Sequence, residues 1–281
     1  MLGDAVMELK NKISLVGVDL DGTLLRNDKT ISEETKKAVN SAFERGITVV
    51  PVTGRPLCGI PQFILDMPEI RYVISTNGAR ITDIKADKTV YESPLSKEKT
   101  AQLIEYATDC GYDFEAFSEG VGYIEPALMK KHLEAYGNSP VADYIKTSRK
   151  TVESIKEFFE KTEKCADEIF ITLSDRAKRD ELFEQMSPDR EIQLCCLEQR
   201  FLEVTKNGTD KGTAFDYLRE MLGIDKNATA AFGDNDNDSL FLKSAAVSVV
   251  MGNAADKLKK CADIIAPSNE DDGVAFILNK M

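Results

Sequence analysis

Residues 13–25 read ISLVGVDLDGTLL: an apolar, β-branched run that stops at two aspartates, Asp19 and Asp21, with Gly22 and Thr23 behind them. A short, β-branched run of this kind reads as a strand buried on both faces, as parallel sheets require. Residues 32–75 extend the pattern. Ser32 is placed to cap a helix that carries Glu33 and Glu34 in its first turn, runs to Arg45 and stops at Gly46. ITVVPV at 47–52 reads as a second strand, and YVIS at 72–75 as a third. Strand, loop, helix and strand in that order open a doubly wound sheet. Such sheets bind ligands outside the carboxyl ends of their strands, and Asp19 and Asp21 stand at such an end.

Beyond Ser75 the rhythm changes. Asn77-Gly78 signals a turn, and 81–95 mixes polar and β-forming residues like a hairpin. Helices are expected over 96–110, 127–136, 152–164 and 175–186, with strands at 168–173 and 192–197. The first pattern resumes with a strand at 202–205, a helix over 211–222 and strands at 229–232, 247–250 and 263–265. We therefore expect an α/β protein. Residues 1–83 and 191–281 would form a doubly wound, Rossmann-like parallel-sheet core, and 84–190 an α+β domain spliced into it. Insertion into an exposed turn is easy because both ends leave the parent sheet close together.

The 281 residues suffice for sizeable cores. Lys and Arg number 36 against 48 Asp and Glu, a formal net charge of −12 that the two expected parts share equally. This excess argues against nucleic acid as a partner, because phosphate backbones are held by basic patches. No stretch approaches 18 uninterrupted apolar residues, so no membrane span is expected. The start, MLGDAVMELKNK, has acids where a secretory leader needs a basic start and an apolar run, which makes the cytoplasm the expected location. Six cysteines without C-x-x-C spacing suit reduced thiols. The single histidine, His132, excludes His-rich metal sites while leaving a Ser-His-Asp triad open. Catalysis is to be sought mostly among Asp, Lys and backbone groups.

Four segments carry chemistry. Asp19 and Asp21, two apart in a turn, bring two carboxylates to one small volume, where they repel unless a cation or a shared proton intervenes. Asp and Gly are also ordinary turn residues. GDNDND at 233–238 repeats the arrangement after another short apolar strand. It begins like a calcium loop, but Ser239 stands where that loop has Gly and Ala245 where it has Glu. Hard oxygen donors of this kind suit magnesium. Thr53-Gly54-Arg55 ends the second strand, where a hydroxyl and a backbone N–H could hold an anionic oxygen; taken singly, a plain turn is the favoured reading. Lys211 opens a helix, where a cation opposes the helix dipole unless an anion lies nearby; a solvated Lys in a Gly-rich turn is the competing reading.

Taken in order, an Asp pair, a Thr, an insert, a Lys and an Asp cluster resemble the haloacid dehalogenase (HAD) superfamily. The nearer resemblance is to its Cof-type phosphatases, whose large α/β cap lies after the second motif and before the third. VGVDLDGTLL, VTGRP, STNGA, LEVTKNGTDKG, GDNDND, VMGNA and DDGVA are similar to that group's landmarks, and the likeness covers nearly the whole chain from Ile13. It implies an Mg2+-dependent phosphatase that hydrolyses small cytosolic phosphomonoesters, sugar phosphates or phosphorylated cofactors, through an aspartyl-phosphate. Asp19 would be the nucleophile and Asp21 the general acid, then base. Asp19 and Asp234 would be side-chain magnesium ligands, Asp21 would touch the metal through its backbone carbonyl, and Asp238 would hold metal waters or Lys211. Thr53, Gly54, Lys211, Asn237 and the backbone N–H of Leu20 would cradle the phosphoryl oxygens.

A phosphomutase or phosphotransferase using the same intermediate is the nearest alternative. A non-enzymatic, metal-dependent ligand-binding protein is another, and it would be expected to have lost Asp19, Asp21, Lys211 or Asp234. Dehalogenation is disfavoured, since carbon–halogen hydrolysis does not require Asp21. His132 and Cys195-Cys196 read as packing residues, and Arg55 reads either as a substrate contact or as a surface ion pair.

Overall fold

The computed structural model describes residues 13–197 and 199–281; the leader reading drawn from residues 1–12 lies outside them. The opening run becomes β1 (Leu15–Asp19), buried at every position. Ser32 accepts the Thr35 N–H at 2.9 Å and starts the helix Glu33–Glu44, and Gly46 leaves it at φ +82°. β2 (Thr48–Val52) lies parallel to β1, from Leu15↔Thr48 to Asp19↔Val52, and β3 (Tyr72–Ser75) parallel to β2. β4 (Arg80–Asp83) turns back antiparallel to β3, and β5 (Lys88–Glu92) forms the edge.

A second sheet comes next, built from β6 (Asp113–Ser118), β7 (Val121–Ile124), β8 (Arg149–Thr151), β9 (Glu168–Thr172), β10 (Ile192–Leu197) and β11 (Phe201–Lys206). Its order is β10-β11-β9-β6-β7-β8, antiparallel except for the β7–β8 pair. Strand alternation puts Phe114, Ala116, Ile169, Ile171, Leu202 and Val204 on one face. They form a core with Leu103 and Ile104 of the helix Lys97–Asp109, Phe159 of Ile155–Thr162 and Leu182 of Arg176–Met186.

The chain then returns to the first sheet with the helix Lys211–Met221, β12 (Thr229–Gly233), the helix Ser239–Ser244, β13 (Val247–Val250), β14 (Ile264–Ile265) and the helix Gly273–Leu278. The eight strands run in the order β14-β13-β12-β1-β2-β3-β4-β5. β1 sits inside the sheet, hydrogen-bonded to β12 and β2. Gly17 at its centre has no side chain for a steric reason: a Cβ there would meet the Phe241 and Phe215 rings at 2.6 and 2.8 Å.

By contacts the chain forms two compact units. One holds the chain through Thr53 together with Gln62–Val90 and Asp210–Met281, and the other Gly54–Pro61 with Tyr91–Thr209. The second unit thus ends later than the expected 84–190 and includes a piece expected in the core. The cause is strand pairing: β10 and β11 join β9 in the six-stranded sheet, and an apolar run specifies a buried strand without naming its neighbour. The helix Pro140–Ser148, capped by Ser139 with Pro140 at its first position, was absent from the expected elements. Among the described residues no helix is long and apolar enough to cross a membrane.

Candidate active site

β1 and β12 are parallel neighbours, so the loops at their carboxyl ends emerge side by side. One delivers Asp19, the other Asp234 and Asp238, and single carboxylate oxygens of all three lie within 4.8 Å of one another. Behind Asp19 the chain coils tightly: Leu24 N–H donates to the Asp19 carbonyl at 3.0 Å and Leu25 N–H to that of Leu20 at 2.8 Å. Gly22 makes this turn at φ +85°, and a Cβ there would stand 2.3 Å from an Asp234 oxygen. The Thr23 hydroxyl donates to Asp234 Oδ1 at 3.0 Å.

Asp238 organises its own loop. Its Oδ2 accepts the N–H groups of Asp234 and Asn235 at 3.0 and 3.1 Å. Its Oδ1 accepts Lys211 Nζ at 2.7 Å, and the same ammonium donates to Asp19 Oδ1 at 2.7 Å. Lys211 begins its helix, whose N-cap is Asp210, and is 2% exposed. The anion that a cation at a helix start needs is therefore a pair of carboxylates. At the end of β2, buried Thr53 donates its N–H to Ile74 and accepts that of Asn77. Asn77, at φ +49°, faces Asn237, whose Nδ2 lies 3.5 Å from its Oδ1. Gly78 belongs to the same turn at φ +94°, where a Cβ would be 2.2 Å from the Asp210 carbonyl, so this turn lies against the start of the Lys211 helix.

The charges do not balance. Three carboxylates face one ammonium, and the excess appears in their proton affinities. Burial raises the Asp19 carboxyl well above the usual range; Lys211 opposes the rise, and Asp238 and Asp234 add to it. Asp234 is pushed up to about 6 by burial and by the charge of Asp238. Burial works against the Lys211 charge, but Asp19 and Asp238 outweigh it and hold the lysine above its ordinary range. A hard divalent cation fits this donor set: all-oxygen, doubly over-negative, and in a cradle that any side chain at position 22 would fill.

The family model for haloacid dehalogenase-like hydrolases matches residues 16–278. The chain belongs to that family. This HAD-like hydrolase is 26% identical to the phosphatase YwpJ of Bacillus subtilis, over 96% of this chain and 100% of that one. It is 27% identical to the 5-amino-6-(5-phospho-D-ribitylamino)uracil phosphatase YcsE of the same organism, over 94% and 93%. A haloacid dehalogenase-like hydrolase from B. subtilis superimposes with a TM-score of 0.84 at 27% identity, over 95% of this chain and 99% of that one. It is an enzyme, a phosphoric monoester hydrolase of the Cof type.

Of the residues singled out in the sequence, the structure brings Asp19, Asp234, Asp238 and Lys211 into mutual contact, with Thr23 beside them. The Asp21 side chain is 38% exposed and paired with Lys29 at 2.7 Å, and its charge adds to those that raise Asp234. Leu20 is buried in the turn, and Gly54 falls in the second unit. Besides Thr23, two residues of the HAD-like site carry no role in the sequence analysis, although both lie in its landmark motifs. Asn77 comes from STNGA and Asn253 from VMGNA; Asn253 Nδ2 donates to the Gly22 carbonyl at 2.8 Å and reaches Asp234 Oδ2 at 3.4 Å. The available signal was position, because both come just after the carboxyl end of a parallel strand.

Arg55 is neither alternative in simple form: buried in the second unit, it donates to the Gly59 carbonyl at 2.9 Å and lies over the Tyr144 ring. His132 is buried 3.3 Å from Glu115, which also holds Arg149 at 2.6 Å. Cys195 and Cys196 are half-buried on β10.

Proposed function

We propose that this hydrolase is an Mg2+-dependent phosphatase of small phosphomonoesters, sugar phosphates or phosphorylated cofactors, working through an aspartyl-phosphate. The observation that carries the reading is Asp19: a buried carboxylate at a strand end, held at 2.7 Å by Lys211. An ammonium that orients one oxygen favours the charged form of the nucleophile against the effect of burial and fixes it, and its own charge is available to an incoming phosphoryl oxygen. The names of three relatives, YcsE, YitU and YwtE, specify a phosphorylated ribitylaminouracil, which supports a small organic phosphate as substrate class.

In the first half-reaction an Asp19 oxygen bonds to phosphorus, the ester P–O bond breaks, and Asp21 gives its proton to the departing oxygen. In the second, Asp21 takes a proton from water, the water oxygen bonds to phosphorus, and the Asp19–phosphorus bond breaks to release inorganic phosphate. Asp19 and Asp234 would hold the magnesium, with the Asp21 carbonyl as a further ligand, and the metal would offset the repulsion of anionic nucleophile and anionic phosphate. Asp238 would keep Lys211 and its loop in place. Thr53, Gly54, Lys211, Asn237 and the Leu20 N–H would bind the phosphoryl oxygens. The inserted unit would select among leaving groups.

The test is hydrolysis of p-nitrophenyl phosphate and a panel of sugar and cofactor phosphates with and without chelator, then acid quench and mapping of the phosphorylated residue. Asp19→Asn is expected to keep the fold and lose more than about a thousandfold in turnover, with no trapped phosphate. Retained turnover in that variant, or phosphate trapped elsewhere, overturns the reading. Transfer to a second hydroxyl in place of phosphate release would identify a phosphotransferase.

A further inference from the structure

The segment that leads into the landmark DDGVA near the C-terminus and the loop after Thr23 have no part in the proposed reaction, yet they touch at the base of that loop, and its tip reaches Asp21. Residues 26–30 form a closed turn. Arg26 N–H donates to the Thr30 carbonyl and Lys29 N–H to that of Arg26, both at 2.9 Å, while Asp28 Oδ1 accepts the Thr30 N–H and hydroxyl at 3.0 and 2.6 Å. The base of the turn is fastened to residues 269–272. Buried Asn269 donates to the Leu25 carbonyl at 3.0 Å, Glu270 accepts the Asn27 N–H at 2.7 Å, and Asp272 accepts Arg26 at 3.2 Å.

At the tip, Lys29 adopts φ +65°, a conformation that costs a residue with a long side chain about 1 kcal/mol or more and persists only where the surroundings impose it. From there its ammonium donates to Asp21 Oδ1 at 2.7 Å. With the two side chains 29% and 38% exposed, stability does not account for the contact, because pairs this open are worth about 0–1 kcal/mol. Geometry does account for it. The Asp21 side chain is far more exposed than that of Asp19, 38% against 7%, so packing confines it less and the Lys29 contact narrows the rotamers it can take. Proton transfer to a departing oxygen requires the acid to be placed to within about half an ångström.

We infer that Lys29 is a positioning residue for the acid–base carboxylate of Asp21, and that residues 269–272 are the mount that holds Lys29 in place. The inference rests on the acid–base role proposed for Asp21, and the experiment separates the two.

The full-length chain with Mg2+ is assayed on phenyl phosphate and p-nitrophenyl phosphate, two esters of similar shape. Phenoxide needs a proton to leave, and p-nitrophenoxide hardly does. kcat/KM covers the steps up to loss of the leaving group. Lys29→Met is expected to lose at least about tenfold in kcat/KM on phenyl phosphate and less than about threefold on p-nitrophenyl phosphate, with KM near wild type. Lys29→Arg is expected to recover most of the loss. Asp272→Asn, a residue type at ease at the φ of +55° found there, loosens the mount without touching Lys29 and should steepen the same leaving-group dependence; it decides the matter if Lys29→Met does not fold.

An equal loss on both esters overturns the inference, as does a rise of KM on both, which would make Lys29 a phosphate ligand. Asp21→Asn is the control. If it shows the leaving-group dependence and neither the Lys29 nor the Asp272 variant does, only the positioning role falls. If Asp21→Asn itself lacks that dependence, the acid–base role of Asp21 falls too.

Discussion

Lys211 carries a charge that is 2% exposed, and its two contacts at 2.7 Å explain how the fold tolerates it. Removing one partner of a buried pair leaves the rest uncompensated, typically at about 3–5 kcal/mol. Lys211→Met is therefore expected to lose about 3 kcal/mol or more in urea unfolding without metal, and to regain part of it when Mg2+ supplies the missing positive charge. A metal-free stability equal to wild type would mean that burying the three charges costs as much as their contacts contribute. Asp19, Lys211 and Asp234 stood out in the sequence because each departs from what its position would otherwise favour: acids crowded in a turn, a cation at a helix start. Thr23, Asn77 and Asn253 did not. A Thr or Asn in a loop is locally unremarked, and its function lies wholly in the group it faces: Asp234 for Thr23, Asn237 for Asn77, and the Gly22 carbonyl for Asn253.

Helix ends were legible because caps are local chemistry. Ser32, Ser96 and Asp175 accept backbone N–H groups three residues on, at the helix starts expected from sequence. Ser32→Ala should cost about 1 kcal/mol, read as a lowered midpoint of denaturation with unchanged slope; no change would mean that tertiary packing alone fixes the start of Glu33–Glu44. Strand partners are a different matter. β10 and β12 are both short apolar runs, yet β12 pairs with β1 in the larger sheet and β10 with β11 in the smaller. Nothing within either run carries that difference. This is why the expected insert stopped at 190 while the second compact unit extends to Thr209.

For the molecule as a whole, the over-negative cluster sets a trade between protons and metal. The folded pKa of Asp234 is about 6 against an ordinary 3.8, and Asp19 is raised too, so the folded state holds protons that the unfolded chain has released. Stability in the absence of metal must then fall as the pH rises from about 4 to about 6. A divalent cation reverses that loss only where it need not displace protons. Added Mg2+ should raise Tm more at about pH 7.5 than at about pH 5; an equal rise at both would place the ion away from Asp19 and Asp234.

By itself the sequence determined the α/β character and the strand-end position of the acids, because hydrophobic period, caps and turn residues act within a few neighbouring positions, and the order of its motifs carried the resemblance to the family. Tertiary structure alone decided which strands pair, that Lys211 bridges Asp19 and Asp238, and that a turn fastened to residues 269–272 brings Lys29 to Asp21. Those contacts join residues up to some 240 positions apart, as from Leu25 to Asn269. They exist because parallel strands distant in the chain end at the same edge of one sheet.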